Sequence, residues 1–460
     1  MNHPMPIDDT RVPTVADARR KPLAMTIERR WVGAVLLRAL MLVLGLFRSV
    51  MPVAGAALLI ACTTPDESAV DCLPEPSPRR VDPPAYTDEQ QARKEEVDQF
   101  LCDRYQEEGW QILETTQTYG GDIIDWLDPA SVPGSQVDPP PPIPASEYEP
   151  LDGELQVTEL DQFPELRAEA GIPVTRPTFE AYIQGWTDAV SLEDFLSQQE
   201  GGMPAGQTRL YVGLTTMVDN WGGAGRFTPF AGTVEEGTFS LLELAVACDG
   251  PDKDNTLELV GIVASQDKKH FDGVVRLQVE FFADGVKYGD EKGGWHGFFR
   301  GFVPFEGAAY GPGLALVPLS TPGGKQYGSY FKILRAQNGD WWLAHNGHWL
   351  GYYPATLFDL INTKACDVSW YGEVLDTTPT DRTETDMGSG EFAINGFGYA
   401  SSIANMTYYD TSGAQNAPSS FGTMGPTDPA CYTKSDLFAD ALGVPYFILG
   451  GPGGDAPGCD

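Results

Sequence analysis

Sixty-five acidic side chains, five histidines and seven cysteines define the chemistry open to this chain. Glu258 follows Asp252 and Asp254 at alternating positions, an arrangement that offers oxygen ligands to calcium. The spacing lacks the twelve-residue pattern of a calcium loop, and a solvated hairpin turn accounts for both aspartates. Glu373 lies in Trp370-Tyr371-Gly372-Glu373-Val374, and a glutamate in such a strand ordinarily faces water. His345 and His348 straddle the turn Asn346-Gly347, and no HExxH pattern follows. Ser389 stands between Gly388 and Gly390, but the GxSxG spacing of a nucleophile elbow fails. No cysteine belongs to a CxxC or Cys/His array, so neither structural zinc nor another cofactor is expected. Carboxylate chemistry is what remains.

The elements that would position such groups read as mainly β. There are 51 glycines, 37 prolines, 10 Trp, 18 Tyr and 22 Phe, a composition that favours turns and strands over long helices. From about residue 207 short alternating runs recur: Arg209 to Gly213, Phe239 to Val246, Val274 to Phe281 and Tyr330 to Leu334. Turn signals separate them, among them Ala283-Asp284-Gly285 and Asn338-Gly339-Asp340. Many short strands without intervening amphipathic helices predict an antiparallel β-sandwich or barrel. Upstream, a Pro- and acid-rich tether spans 63–87, and Thr87 caps an expected helix from Asp88 to Glu108 with Val97, Leu101 and Tyr105 on one face. A second proline-rich break follows at Pro139 to Pro142 and Pro144, then an expected helix from Ser191 to Gln198.

Net charge is −35, the wrong sign for tracking phosphates, so no nucleic-acid partner is expected. Residues 1–62 differ from the rest. Basic residues precede a broken apolar stretch that is short for a spanning helix and reads as a signal peptide. Its end, Leu59-Ile60-Ala61-Cys62, resembles a bacterial lipobox, which implies a lipid on Cys62 and attachment to a membrane. The expected location is extracytoplasmic, as an outer-membrane or cell-surface lipoprotein or a secreted protein. The six other cysteines allow up to three disulfides, with the connectivity open.

Several blocks occur in a telling order. Trp341-Trp342-Leu343, Gly351-Tyr352-Tyr353-Pro354-Ala355-Thr356-Leu357-Phe358, Trp370-Tyr371-Gly372-Glu373-Val374 and Met387-Gly388-Ser389-Gly390 resemble the WWL, GYWP..LF, GGEV and MGSG blocks of the neprosin family. These are secreted glutamic peptidases of the prolyl-endopeptidase kind. Gly121 to Asp125 and Ile172 to Arg176 resemble parts of the family's activation peptide and its junction. The resemblance, read as that of a bacterial member, implies a sandwich of two antiparallel sheets, a catalytic pair of glutamates and an N-terminal pro-segment over the cleft. Matched by motif, the pair is Glu258, in Thr256 to Gly261, and Glu373. The family's tryptophan falls at Gly261, and its paired cysteines are replaced around Trp295 to Phe299. The ending, Cys431-Tyr432 through Gly450 to Gly453 and Cys459, implies a Cys431–Cys459 bridge. Trp341, Trp342, Tyr352 and Trp370 are expected to line a groove that stacks on substrate proline rings.

The domains expected are a signal segment at 1–62, a linker at 63–87, a partly helical pro-region at 88–206 and a peptidase domain at 207–460. The function expected is metal-free hydrolysis of a protein or peptide, with cleavage after proline, by two glutamates acting on water in acid. Two alternatives stand beside it: a non-catalytic surface protein of the same fold that binds peptides or glycans, and a glycoside hydrolase with paired carboxylates.

Overall fold

A computed structural model describes residues 72–148, 156–157, 171–179, 208–250, 257–268, 272–283, 293–295, 301–377, 382–425, 428–440 and 443–459. The leader with Cys62, the helix expected at Ser191 to Gln198, and Asp252 and Asp254 lie outside these residues.

Helix α1 (Asp88–Glu108) starts where its cap signal places it. The Thr87 hydroxyl accepts from the Gln90 amide while the Gln90 side chain accepts from the Thr87 amide, satisfying two end donors reciprocally. Gly109, at φ +70°, ends it in the left-handed conformation that a side chain would resist. The stripe Val97, Leu101 and Tyr105 is buried against a small sheet. That sheet holds β1 (Ile112–Gln117), β2 (Ile123–Leu127) and, beyond β3 (Gln156–Val157), β4 (Ile172–Arg176), in the order β1-β2-β4. A Cys72–Cys102 disulfide fastens the preceding segment to the helix. At its heart Asp125 accepts from the hydroxyls of Tyr105 and Thr115 at 2.7 and 2.6 Å and from Arg176 Nε at 2.7 Å. A buried carboxylate is tolerated only with such pairing.

From Thr208 the chain builds two sheets. In order come β5 (Thr208–Asn220), β6 (Gly222–Phe227), β7 (Phe239–Asp249), β8 (Leu257–Asp267), β9 (Val275–Phe282), β10 (Gly293–Trp295) and β11 (Val303–Pro304). Then follow β12 (Tyr327–Arg335), β13 (Trp341–His345), β14 (His348–Tyr353), β15 (Ala365–Asp376), β16 (Ser401–Tyr409) and β17 (Gln415–Asn416). The last are β18 (Gly422–Met424), β19 (Thr433–Lys434), β20 (Phe438–Ala439) and β21 (Pro445–Gly450). The smaller sheet runs β10-β9-β8-β7-β15-β5-β18, and the larger runs β11-β14-β13-β12-β6-β16-β21-β19, with β17, β20 and β3 attached. The pairings within the sandwich are antiparallel except that of β3 with β12. This is the mainly β, antiparallel architecture expected.

Alternation decides what each sheet buries. Val212, Leu244, Ile262, Val279 and Trp370 of the smaller sheet meet Phe331, Ile333, Trp341, Leu343 and Phe447 of the larger in one core. A second cluster, with Phe239, Leu241, Val263, Phe282, Tyr371 and Leu375, forms on the other face of the smaller sheet. Strand β7 therefore reads as an apolar run rather than an alternating one, because both its faces are covered. Two further disulfides, Cys248–Cys366 and Cys431–Cys459, lie within the sandwich, the second being the bridge implied by the ending.

The N-terminal region is built into this sandwich. Ile124 and Trp126 belong to the main core, and Ile143 packs with Trp342, Trp349 and Tyr352 on the outer face of the larger sheet. Its described residues thus do not form the cleft-covering lid that the resemblance implied.

Candidate active site

Glu373 and Glu258, the expected pair, are not brought together. In β8, Glu258 shares its face with Val260 and Ile262, which point into the main core. Glu373 shares its face with Tyr371 and Leu375, which point to the other side of the same sheet. Period two in a strand leaves no route between these faces. Glu258 has a different occupation. Its two oxygens accept from the backbone amides of Asp359, Leu360 and Ile361 at 2.9, 2.7 and 3.0 Å, fixing the segment that follows the Leu357-Phe358 block.

The acids that do join Glu373 are Glu243 on β7 and Glu280 on β9, all three buried. The register puts them on one face. Val263 of β8 stands between Glu243 and Gln278, and Gly261 stands between Ala245 and Glu280. Across the other border of β7, Glu243 is opposite Tyr371, and Glu373 is opposite Leu241. Glu243 is thus central: Glu373 lies on its diagonal on the neighbouring strand, a distance that long side chains bridge, and Glu280 lies two strands away across Gly261 of β8. Gly261 makes this possible. A Cβ there would lie 2.4 Å from Glu243 Oε1 and 2.9 Å from Glu280 Cγ, so only glycine lets the two carboxyls meet.

Each carboxyl has its own supports. The Tyr371 hydroxyl donates to Glu243 Oε2, and Arg209 Nη1 of β5 donates to Glu373 Oε1 at 2.6 Å. Glu243 and Glu280 hydrogen-bond to one another, which requires a proton between them. Burial raises Glu243 well above the usual carboxylate range, and the charges of Glu280 and Glu373 push the same way. Burial lifts Glu280 to about 7, the bond from Glu243 opposing. Glu373 is also raised by burial, with the Arg209 guanidinium pulling it back. Three carboxyls so close cannot all ionise cheaply, so Glu243 keeps its proton longest while Arg209 favours a charge on Glu373.

Several polar atoms on this face besides the carboxyls have no protein partner: both amide atoms of Gln278 and Ser265 Oγ. Buried polar groups are normally satisfied, so a row of orphans marks a place built for water or a ligand. The arrangement can hold a water against an ionised carboxylate, present a protonated carboxyl beside it, and offer an amide donor to developing negative charge.

The aromatic residues expected to stack on substrate are placed elsewhere. Trp341 and Trp370 fill the main core, their indole N–H groups donating to Ile361 O at 3.1 Å and Ala224 O at 2.9 Å. Trp342 and Tyr352 lie on the outer face of the larger sheet beneath the N-terminal strap, where Tyr352 Oη donates to Gly134 O at 3.1 Å. All four are buried and none borders the acid cluster, because alternate residues of β13 and β14 feed the main core and the cluster on the outer face of the larger sheet, while Trp370 of β15 faces the main core. His345 is buried in a hairpin with His348 opposite, burial lowering it to about 3, and Ser389 Oγ donates to Tyr399 O at 2.6 Å. Both serve structure. Of the two acids that join Glu373 only Glu243 carried a legible signal, since it interrupts the apolar run Leu241 to Val246, whereas Glu280 continues the polar alternation of Arg276 and Gln278.

Residues 236–452 match the Neprosin family model. The matched segment holds β7 to β21, with Glu243, Glu280 and Glu373, while β5 with Arg209 precedes it. This match supports a peptidase-like function. Among solved structures, the chain is similar to SCP-B, a member of the eqolisin family of peptidases, in a complex with the tripeptide Ala-Ile-His. The identity is 6%, the match covers 53% of this chain and 98% of that one, and the TM-score is 0.27. It is similar also to scytalido-glutamic peptidase with a peptide-based transition state analog, at 7% identity, 53% and 98% coverage and a TM-score of 0.29. An apo Crh5 transglycosylase matches at 9% identity, 51% and 93% coverage and a TM-score of 0.21. Chains this divergent share too little geometry to place a catalytic residue.

Proposed function

We propose that the protein is a metal-free glutamic endopeptidase whose working acids are Glu243, Glu280 and Glu373, not the pair Glu258 and Glu373. The observation that carries this reading is the convergence of three buried carboxyls with unpartnered Gln278 and Ser265 on one sheet face. Peptide hydrolysis without a metal or a covalent nucleophile needs an activated water and a proton donor for the departing amine. In this reading Glu373, kept ionised by Arg209, removes a proton from the water as its oxygen bonds to the scissile carbonyl carbon. The Gln278 amide donates to the resulting oxyanion, a role in which one donor is commonly worth about 10²–10³ in rate. The Glu280 proton then passes to the amine nitrogen as the C–N bond breaks, and Tyr371 holds Glu243 in place. Loss of that proton near neutrality makes the activity acidic.

Cleavage after proline belongs to the same proposal and rests on the family alone. Incubation with a quenched proline-containing peptide from pH 3 to 8, with mass-spectrometric mapping of the products, tests both parts. Cuts that appear in acid and fade above about pH 7 support the reading. An inert protein, or a rate that does not fall on the alkaline side, overturns it.

We also propose export, with Cys62 as the lipid-bearing residue. Support comes from the disulfides: the six other cysteines pair with one another, as in an oxidising compartment, and leave Cys62 over. Intact-mass measurement of the mature N-terminus decides it, since an unmodified Cys62 within a longer chain would refute the assignment.

A further inference from the structure

We propose that residues 72–179 are a permanent non-covalent subunit of the β-sandwich domain. Cutting the chain within 180–207 would then give a two-chain protein, not a shed pro-segment. This inference is independent of which glutamates do the chemistry.

Charge is the first ground. Lys332 and Arg226 project from the outer face of the larger sheet, both 4% exposed. Burial lowers the pKa of each, and Glu147 of the N-terminal region opposes that for Lys332. The Glu147 carboxylate accepts from Lys332 Nζ at 2.9 Å, Tyr409 Oη at 2.9 Å and Tyr330 Oη at 3.3 Å, while Arg226 Nη2 donates to Tyr148 O at 2.7 Å. Asp122 supplies a second anchor. Arg276 Nη1 donates to Asp122 Oδ1 at 2.6 Å, and the Ala315 amide donates to Asp122 Oδ2 at 3.0 Å. Withdrawing the N-terminal region would strip each of these domain cations of an acceptor, and breaking a buried pair by removing one partner is costly.

Apolar burial is the second ground. Ile124 and Trp126 are 1% and 3% exposed within the core that the two sheets share. Ile143 closes a cluster over Trp342, Trp349 and Tyr352, and Gly134, Ser135 and Pro141 accept from Tyr352 Oη, the Glu306 amide and Trp349 Nε1. Without this cover a row of large aromatics would face water, the kind of contiguous patch that monomers avoid. Residues 68–460 also form one compact unit. No disulfide crosses the boundary, since Cys72–Cys102 lies on one side and Cys248–Cys366 and Cys431–Cys459 on the other. The association is therefore reversible in principle and can be measured. One consequence concerns location: a lipid on the N-terminal piece would still hold the domain at a membrane after cleavage.

The test uses the full chain in non-ionic detergent, with a tobacco-etch-virus protease sequence replacing residues 199–205. After digestion, a denaturing gel run without reductant separates the two pieces. Gel filtration at about 10 nM, well below the micromolar affinities of weak complexes, then reads their association. Co-elution of both pieces in equal amounts, at pH 7 and at pH 5, is the expected result. Separation into two peaks overturns the proposal. In the same chain Glu147→Ala with Asp122→Ala is expected to speed release at least tenfold, and an unchanged release rate would refute the role given to the two anchors.

Discussion

A carboxylate's work depends on which face of its strand it occupies, and Glu258 and Glu280 differ in that respect. Glu258 is held by three backbone N–H groups, so Glu258→Ala should strand them and lower stability by roughly 3 kcal/mol, near the upper end for unsatisfied buried donors. A thermal melt checks this, and the activity per folded molecule should survive in Glu258→Gln. Glu280 affects stability with pH. Its folded pKa is raised from 4.5 to about 7, so the native state holds the proton more tightly than the unfolded chain does. The stabilising contribution is complete below about pH 4.5 and fades as pH rises through 7. Glu280→Gln should flatten that decline, which denaturant titrations at pH 4.5, 6 and 7.5 would reveal. At this scale the sequence was only partly legible. Glu373 could be singled out by its motif, whereas Glu243 and Glu280 become partners only through pairings of β7, β8 and β9 that span the fold.

The elements themselves were easier to read. The Thr87 cap, the stripe on α1 and the turn at Asn338-Gly339-Asp340 are local signals, and the structure places each where it was expected. Strand alternation likewise foretold an antiparallel sandwich. It could not say which face of β8 carries the chemistry, because both faces of the smaller sheet are covered and Glu258 is buried as fully as its neighbours. Gly261 is the element-scale residue that matters. Gly261→Ala would place a methyl 2.4 Å from Glu243 Oε1, closer than van der Waals contact, and push Glu243 and Glu280 apart. Activity should fall by about 10²-fold or more, as expected when acid–base geometry is lost. The melting temperature should move only modestly, because the atoms the methyl meets belong to side chains and not to the backbone. A variant with full activity would deny the pair its role.

Across the molecule, the N-terminal region and the sandwich share a core, a feature composition did not disclose. The proline-rich stretches read as linkers, yet Ile143, between Pro142 and Pro144, is buried on Trp342 and Tyr352. That partnership is long-range and leaves no periodic trace. It also explains the four aromatics expected in a groove: two belong to the main core and two to the docking face. Trp126→Ala should therefore destabilise the whole of 72–460 by about 3–5 kcal/mol, the range for a large core residue. A single cooperative calorimetric transition should shift. A separate early transition for the N-terminal region would contradict the shared core.

The most direct measurement compares single variants on one substrate. Wild type, Glu243→Gln, Glu280→Gln, Glu373→Gln and Glu258→Gln are each assayed with a quenched proline-containing peptide from pH 3 to 7, after a melt confirms folding at the assay temperature. The account predicts losses of about 10²–10⁴-fold in the first three variants and near-normal turnover in folded Glu258→Gln. Full activity in Glu243→Gln and Glu280→Gln, with loss in a folded Glu258→Gln, would contradict it.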